Sequence, residues 1–341
     1  MCTHLTANSV KIGQGLSGNI GNQRQKLRRP STGPGEPETP TTTMWAMPQQ
    51  DATSTAGWLE IERRYRDVWT GRGQGVATDG VGWFVTQNDK TPGVSRYSAD
   101  FSTLEARAEI PRNLTGHVGA VSFFDGVISV ALEKPEAVIT FNRELQQLSY
   151  VRIDRPVEAD GVPHLAWCAV NPDNGLLYTC NWRGAATLNA YDLTSGEQRP
   201  DADIELSETI ERTQGGAFSS DGFVYLASDD RLNTRGWFLT ILGLGKSLRD
   251  LFPGIHRFDS TTGQAIDYRR VPVSFWPPFV KEIEGVAVGP MLIDGVATHV
   301  HLAYLVKNHT FLRDSIRLKS FSLPEYDSGE PERDQPPGSA L

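Results

Sequence analysis

Five copies of one pattern, a spacing of roughly 45 residues between copies, and a single alternating segment ahead of the first predict an all-β chain. The chain reads as a single β-propeller of five four-stranded blades. Each copy opens with a strand of small residues, turns at Asp-Gly or a similar pair, and continues into an aromatic and β-branched strand. Innermost strands converge on the propeller axis, where Gly, Ala, Val and Ser fit and larger side chains do not.

The first copy is Gly75-Val76-Ala77-Thr78, a turn at Asp79-Gly80, then Trp83-Phe84-Val85-Thr86. The second is Gly119-Ala120-Val121-Ser122, a turn at Asp125-Gly126, then Val127-Ile128-Ser129-Val130. The third runs from Trp167 to Pro172 and on through Leu176-Leu177-Tyr178-Thr179. The fourth is Gly215-Gly216-Ala217-Phe218-Ser219, Asp221-Gly222, then Val224-Tyr225-Leu226-Ala227. The fifth is Gly285-Val286-Ala287-Val288-Gly289, then His299 to Tyr304. Asp-Gly supplies the positive φ angles of a type I′ hairpin turn. Third strands end on an aromatic and a small polar residue, as in Tyr97-Ser98, Phe141-Asn142, Tyr191-Asp192 and Phe258-Asp259. A fourth strand follows each of these, as at Leu104 to Ile110.

The fifth copy lacks a fourth strand, because Pro324 ends the pattern after Phe321. The segment Trp58 to Tyr65 alternates as a strand does and precedes the first copy. It is expected to supply the missing outer strand and close the ring, which also removes an exposed sheet edge.

Residues 1–56 are rich in Gly, Ser, Thr, Pro, Gln and Asn and read as a disordered tail, as do residues 325–341. The propeller is expected over 57–324. The 341 residues carry a formal net charge of -8, which disfavours nucleic acid and anionic membrane as partners. No apolar run reaches transmembrane length, and the N-terminus lacks the apolar core of a secretory signal. The cysteines are Cys2, Cys168 and Cys180. In a hairpin centred on Pro172-Asp173-Asn174, Cys168 faces Thr179 and Cys180 faces Trp167. The two thiols then lie on opposite faces and are not expected to bond. Unpaired thiols fit a reducing, cytoplasmic compartment.

The segments Gln214 to Leu226 and Glu284-Gly285-Val286-Ala287-Val288 resemble propellers with YVTN, NHL or SMP-30-like repeats. That resemblance covers most of residues 58–323. It implies the fold and a range of activities that includes lactonases, quinoproteins and pure binding modules. SMP-30-like lactonases hold calcium through a Glu near an inner strand, and Glu284 stands in a comparable Glu-Gly context. Their Asn positions find no clear counterpart, since Asn88 and Asn181 fall in second strands.

The residues just ahead of the inner strands are Gln74, His117, His164, Gln214 and Glu284. All five are expected to ring one mouth of the central channel. Two imidazoles and a carboxylate can hold a divalent metal, calcium or a transition metal, through Glu284, His117 and His164. Without metal, His acts as general base and Glu as acid or orienting group. Gln74 and Gln214 would hydrogen-bond a small-molecule or carbohydrate ligand, and Trp276, in Phe275-Trp276-Pro277-Pro278, would stack on it. Polar side chains at such a mouth also hold ordered water and cap inner-strand backbone without any catalysis.

A hydrophobic insertion at 230–253 interrupts the fourth copy, with Leu244, Leu248, Leu251 and Phe252 at helical spacing. It would pack on the propeller's own face or meet a protein partner. His299 and His301 share one strand face and could chelate as a pair. No Gly-x-Ser-x-Gly elbow, Walker loop, dinucleotide fingerprint or Cys-x-x-Cys pair occurs. The chemistry expected is that of a hydrolase or lyase acting on a small oxygen-rich molecule at the channel mouth, metal-assisted in one form. The alternative is a non-catalytic propeller that binds a ligand or a protein at the mouth or at the insertion.

Overall fold

A computed structural model describes residues 58–63, 72–155, 165–229, 253–271, 279–293, 295–308 and 315–323. The two tails, His164, Trp276 and residues 230–252 of the insertion lie outside the described residues.

The chain begins with β1 (Leu59–Arg63) and then builds blade one from β2 (Gly73–Thr78), β3 (Gly82–Gln87), β4 (Gly93–Ser98) and β5 (Leu104–Glu109). Blade two is β6 (Val118–Phe124), β7 (Val127–Glu133), β8 (Glu136–Phe141) and β9 (Gln147–Arg152). Blade three is β10 (Ala169–Val170), β11 (Leu177–Thr179), β12 (Ala185–Tyr191) and β13 (Ile204–Ile210). Blade four is β14 (Thr213–Phe218), β15 (Phe223–Ser228), β16 (Gly254–Asp259) and β17 (Ala265–Arg270). Blade five is β18 (Phe279–Ile293), β19 (Val296–Asn308) and β20 (Ser315–Ser322), and its outer edge is β1. These are five four-stranded antiparallel sheets, and the inner strands follow one another around a closed ring.

The closing strand pairs antiparallel with β20, Leu59 opposite Ser322 and Arg63 opposite Leu318. Trp58, just ahead of it, is 7% exposed and packs edge-on against Phe321 at 5.5 Å and Tyr225 at 6.3 Å.

Each blade is too thin to hold a core of its own, so apolar side chains on both faces are buried against the neighbouring blades. Five clusters result, one per junction. Trp167, Tyr178, Leu188, Val224 and Phe258 fill the junction of blades three and four. Trp83, Val85, Ala303 and Leu318 fill the junction of blades five and one. Cys168 and Cys180 are both free and buried, and they belong to different clusters on opposite faces of blade three. Burial pushes the Cys168 thiol up, so it stays protonated and inert.

The small residues of the inner strands have a measurable reason. A β-carbon on Gly75 would lie 2.6 Å from Ala120 Cα, and one on Gly285 would lie 2.9 Å from Gly75 Cα. The turn chemistry is narrower than the sequence suggests. Among the described residues, only Asp125-Gly126 of the Asp-Gly pairs has both residues at positive φ (45° and 78°) as type I′ requires. At Asp79-Gly80 and Asp221-Gly222 the glycine alone is left-handed. There Asp79 Oδ1 accepts hydrogen bonds from Val81 and Gly82 N–H, and Ser219 Oγ accepts one from Phe223 N–H.

Candidate functional site

The inner strands start at one mouth of the channel, here called proximal, and end in hairpin turns at the other, the distal mouth. Strand pairing fixes how the predicted residues stand at the proximal mouth. The register of β2 with β3 slips between Gly73 and Gly75, that of β14 with β15 between Thr213 and Gly215, and that of β18 with β19 between Ile283 and Gly285. Gln74, Gln214 and Glu284 are therefore the extra residues of three equivalent β-bulges. A bulge leaves its residue out of the ladder and re-aims the side chain, a device common beside active sites.

His117 does not share that position. In blade two the slip lies between Val118 and Val121 and takes in Gly119 and Ala120. Backbone hydrogen bonds close the proximal ends of three blades in the same way: Asn88 N–H to Arg72 O at 3.0 Å, Glu133 N–H to His117 O at 3.0 Å, and Asp229 N–H to Arg212 O at 3.1 Å. His117 is thus level with Arg72 and Arg212, and with Glu282, which pairs with Leu305. The expected single ring is two tiers: a bulge tier of Gln74, Gln214 and Glu284, and an outer tier of Arg72, His117, Arg212 and Glu282. Arg72 and Arg212 both hold left-handed backbone, φ 51° and 53°, which costs about 1–3 kcal/mol for a residue with a β-carbon and tends to be kept at functional positions.

The outer tier carries charge pairs that the sequence reading missed. His117 Nδ1 lies 3.1 Å from Glu133 Oε1, with the histidine side chain 34% exposed and the glutamate 14%. The approach is off the hydrogen-bond line, so Nδ1 has no hydrogen bond of good geometry. The same two repeat positions in blade four hold Arg212 and the fully buried Asp229, 3.6 Å apart, with Glu282 at 3.9 Å from the same nitrogen. Asp229 Oδ1 also accepts from the Ile283 N–H at 3.2 Å, which ties blade four to blade five. A signal for Glu133 and Asp229 existed in the sequence: Glu133 ends a second strand, and Asp229 follows one directly, as Asn88 does.

Trp182 joins the tiers. Its Nε1 donates to Gln214 Oε1 at 3.2 Å, and the guanidinium groups of Arg183 and Arg212 lie 4.9 and 5.1 Å from its ring. Gln214 therefore keeps its amide NH2 as a donor. Gln74 Nε2 donates to the Gly73 carbonyl at 3.2 Å. Glu284 is 5% exposed. Arg155, its side chain 1% exposed, holds Glu136 Oε1 at 2.9 Å and Asn181 Oδ1 at 3.0 Å beside the second and third blades.

Among the described residues no three His, Cys, Asp or Glu side chains gather as metal ligands do. His299 and His301 do not act as a chelating pair. His301 is buried with both ring nitrogens engaged, Nδ1 by Ser320 Oγ and Nε2 by the Gly289 carbonyl, each at 2.9 Å.

The fold and mouth define a five-bladed propeller with a two-tiered polar ring at the proximal end of its axis. Among solved structures the chain is similar to glutaminyl cyclase of Myxococcus xanthus, with 11% identity over 78% of this chain and 98% of that one and a TM-score of 0.48. It is also similar to the tail fiber of Staphylococcus aureus phage P68, with 14% identity over 79% of this chain and 54% of that one and a TM-score of 0.48. A third is a protein of unknown function from Bacteroides caccae, with 12% identity over 71% and 73% and a TM-score of 0.40. No family model and no curated protein sequence matches the chain.

Proposed function

We propose that the proximal mouth is an active site of hydrolase or lyase type for a small, oxygen-rich molecule. The observation that carries this reading is the His117–Glu133 pair, set one tier outside the three bulge side chains Gln74, Gln214 and Glu284. The pairing supplies a base with a carboxylate beside it, placed to favour the protonated ring. The bulge tier supplies amide donors and a carboxylate for hydroxyl and carbonyl groups.

In the hydrolytic form, His117 takes a proton from water as the water oxygen attacks a carbonyl carbon. The imidazolium then returns that proton to the departing oxygen as the carbon–oxygen bond breaks. Glu133 favours the imidazolium that forms between the two steps. Glu284 and the amides of Gln74 and Gln214 orient the substrate. A divalent metal at Glu284, His117 and His164 is a second form of the same reading, and metal analysis of the purified protein with activity before and after chelation addresses it directly.

The test is glucono-δ-lactone hydrolysis by the full chain, followed through proton release. His117→Gln is expected to lower kcat by about 10²–10⁴-fold, while the unfolding midpoint stays where it was. A propeller that only holds its ligand would show no turnover above the uncatalysed rate with this lactone or with other small esters and hydroxy acids.

A further inference from the structure

The distal mouth carries a second feature that the proximal reading does not use. A cavity of about 640 Å³ opens there, walled by Phe123, Phe124, Phe218, Pro172, Pro290 and Leu323. That volume falls within the range of small-molecule sites, which are mostly apolar with a few placed polar groups. Above it, along the axis, the space lined by Ala77, Val121, Ala169, Ala217 and Val286 is about 30 Å³. That is room for a water and not for an organic molecule, so an occupant of the distal cavity does not reach Gln74 or Glu284 through this space.

Three carboxylates stand at the rim. Asp79, Asp125 and Asp221 come from the same turn of three blades and all line the cavity. Asp79 is held by Arg96 at 3.8 Å and Arg143 at 3.7 Å, and its carboxylate is buried. Asp125 and Asp221 are exposed and make no ion pair among the described residues. The cation of the wall, Arg257, is already bound to Asp267 at 2.7 Å. His299 sits exposed at the edge. The ring of Phe123 is covered by Arg143 at 5.2 Å, whereas no described cation covers Phe124 or Phe218.

The wall is also incomplete in its hydrogen bonding. Tyr225 is wholly buried and its hydroxyl has no hydrogen-bond partner of good geometry, although Arg257 is close by. Arg257 Nε is likewise without one. A buried polar atom left so costs about 1–3 kcal/mol, and a phenol oxygen can accept from an N–H donor.

We propose that the distal cavity binds a small organic ammonium with an aromatic or apolar body. The body fills the space among Phe123, Phe124 and Phe218. The cation lies over the uncovered phenylalanine faces and between the Asp125 and Asp221 carboxylates. The chain's own residues 324–341, which follow Leu323, include Glu325, Asp327, Glu330, Glu332 and Asp334 against Arg333 alone. That segment repels an acidic rim rather than complementing it.

The probes are phenethylamine and its anionic counterpart phenylacetate, titrated calorimetrically into the full chain at pH 8 to keep imidazole charge out of the comparison. Phenethylamine is expected to bind saturably and phenylacetate not at all. The double variant Asp125→Asn/Asp221→Asn, both positions exposed, should bind phenethylamine about 5–10-fold more weakly, and Glu284→Gln should bind it as the native chain does. No saturable binding of phenethylamine, equal binding of phenylacetate, or indifference to the double variant would overturn the proposal. So would binding that is gained only when residues 324–341 are removed, since that would give the cavity to the chain's own end.

Discussion

Gly215 and Gly285 meet backbone to backbone where blades four and five converge on the axis. A β-carbon on Gly215 would stand 2.6 Å from Gly285 Cα and 2.8 Å from Val286 N. Neither neighbour is a side-chain tip that can swing aside, so relief requires the inner strands to part. Gly285→Ala would likewise press on Gly75 Cα at 2.9 Å. Gly215→Ala and Gly285→Ala are each expected to destabilise the fold by about 1–3 kcal/mol or more through overpacking. Urea unfolding monitored by tryptophan fluorescence reads the change, and midpoints unaltered from the native chain would contradict the close approach.

In the proposed reaction Glu133 acts only through His117, so its loss has a distinctive signature. Glu133→Gln is expected to lower kcat for glucono-δ-lactone by about tenfold or more with KM nearly unchanged, because the proposed substrate contacts lie with the bulge tier. In the double variant His117→Gln/Glu133→Gln, activity should be no lower than in His117→Gln alone. Two groups that work as a unit are not additive. Multiplicative losses in that cycle would show that Glu133 has a separate structural role.

The sequence carried the repeat, the five inner strands and the closing segment at Trp58 because these depend on local patterns: small residues at the axis, alternation along a strand, Asp-Gly at a turn. It did not carry the register. A bulge adds a residue without disturbing the local composition, so Gln74, Gln214 and Glu284 could be grouped by their following glycine, while the level of His117, two residues ahead of Gly119, could not be read relative to them. The pairing of His117 with Glu133 and of Arg212 with Asp229 joins residues 16 or 17 positions apart at the two ends of a hairpin, which becomes visible only once that register is known. The distal cavity was hidden for a different reason. Phe124 and Phe218 belong to hairpins of separate blades, and only ring closure brings them to one space.

Closure itself can be measured at Trp58. Its indole packs on Tyr225 and Phe321, and Nε1 donates to Asp267 Oδ2 at 3.3 Å, so one side chain pins the first described strand to blades four and five. Trp58→Ala is expected to cost about 3–5 kcal/mol, and Trp58→Phe less, since the phenyl ring restores part of the contact. Hydrogen exchange should show lost protection at β1 and β20 first. Protection lost evenly through all five blades would mean that the ring opens elsewhere.

His301 gives the fold a pH limit. It is buried between Ser320 Oγ and the Gly289 carbonyl and meets the Trp83 ring edge-on at 4.9 Å. Desolvation by burial lowers its pKa from the ordinary 6.5 to about 4, with a smaller opposing effect from the Gly289 carbonyl and a smaller reinforcing one from His299. The folded chain therefore binds fewer protons here than the unfolded chain does between those values. The contribution of His301 is fully present above pH 6.5, declines as pH falls, and is exhausted near pH 4, a loss on the order of 3 kcal/mol. Denaturant midpoints taken from pH 7 down to pH 4 should fall for the native chain and fall less for His301→Gln, whatever the variant's own stability at pH 7. Parallel curves for the two proteins would show that His301 accepts its proton without cost and that the acid sensitivity lies in other groups.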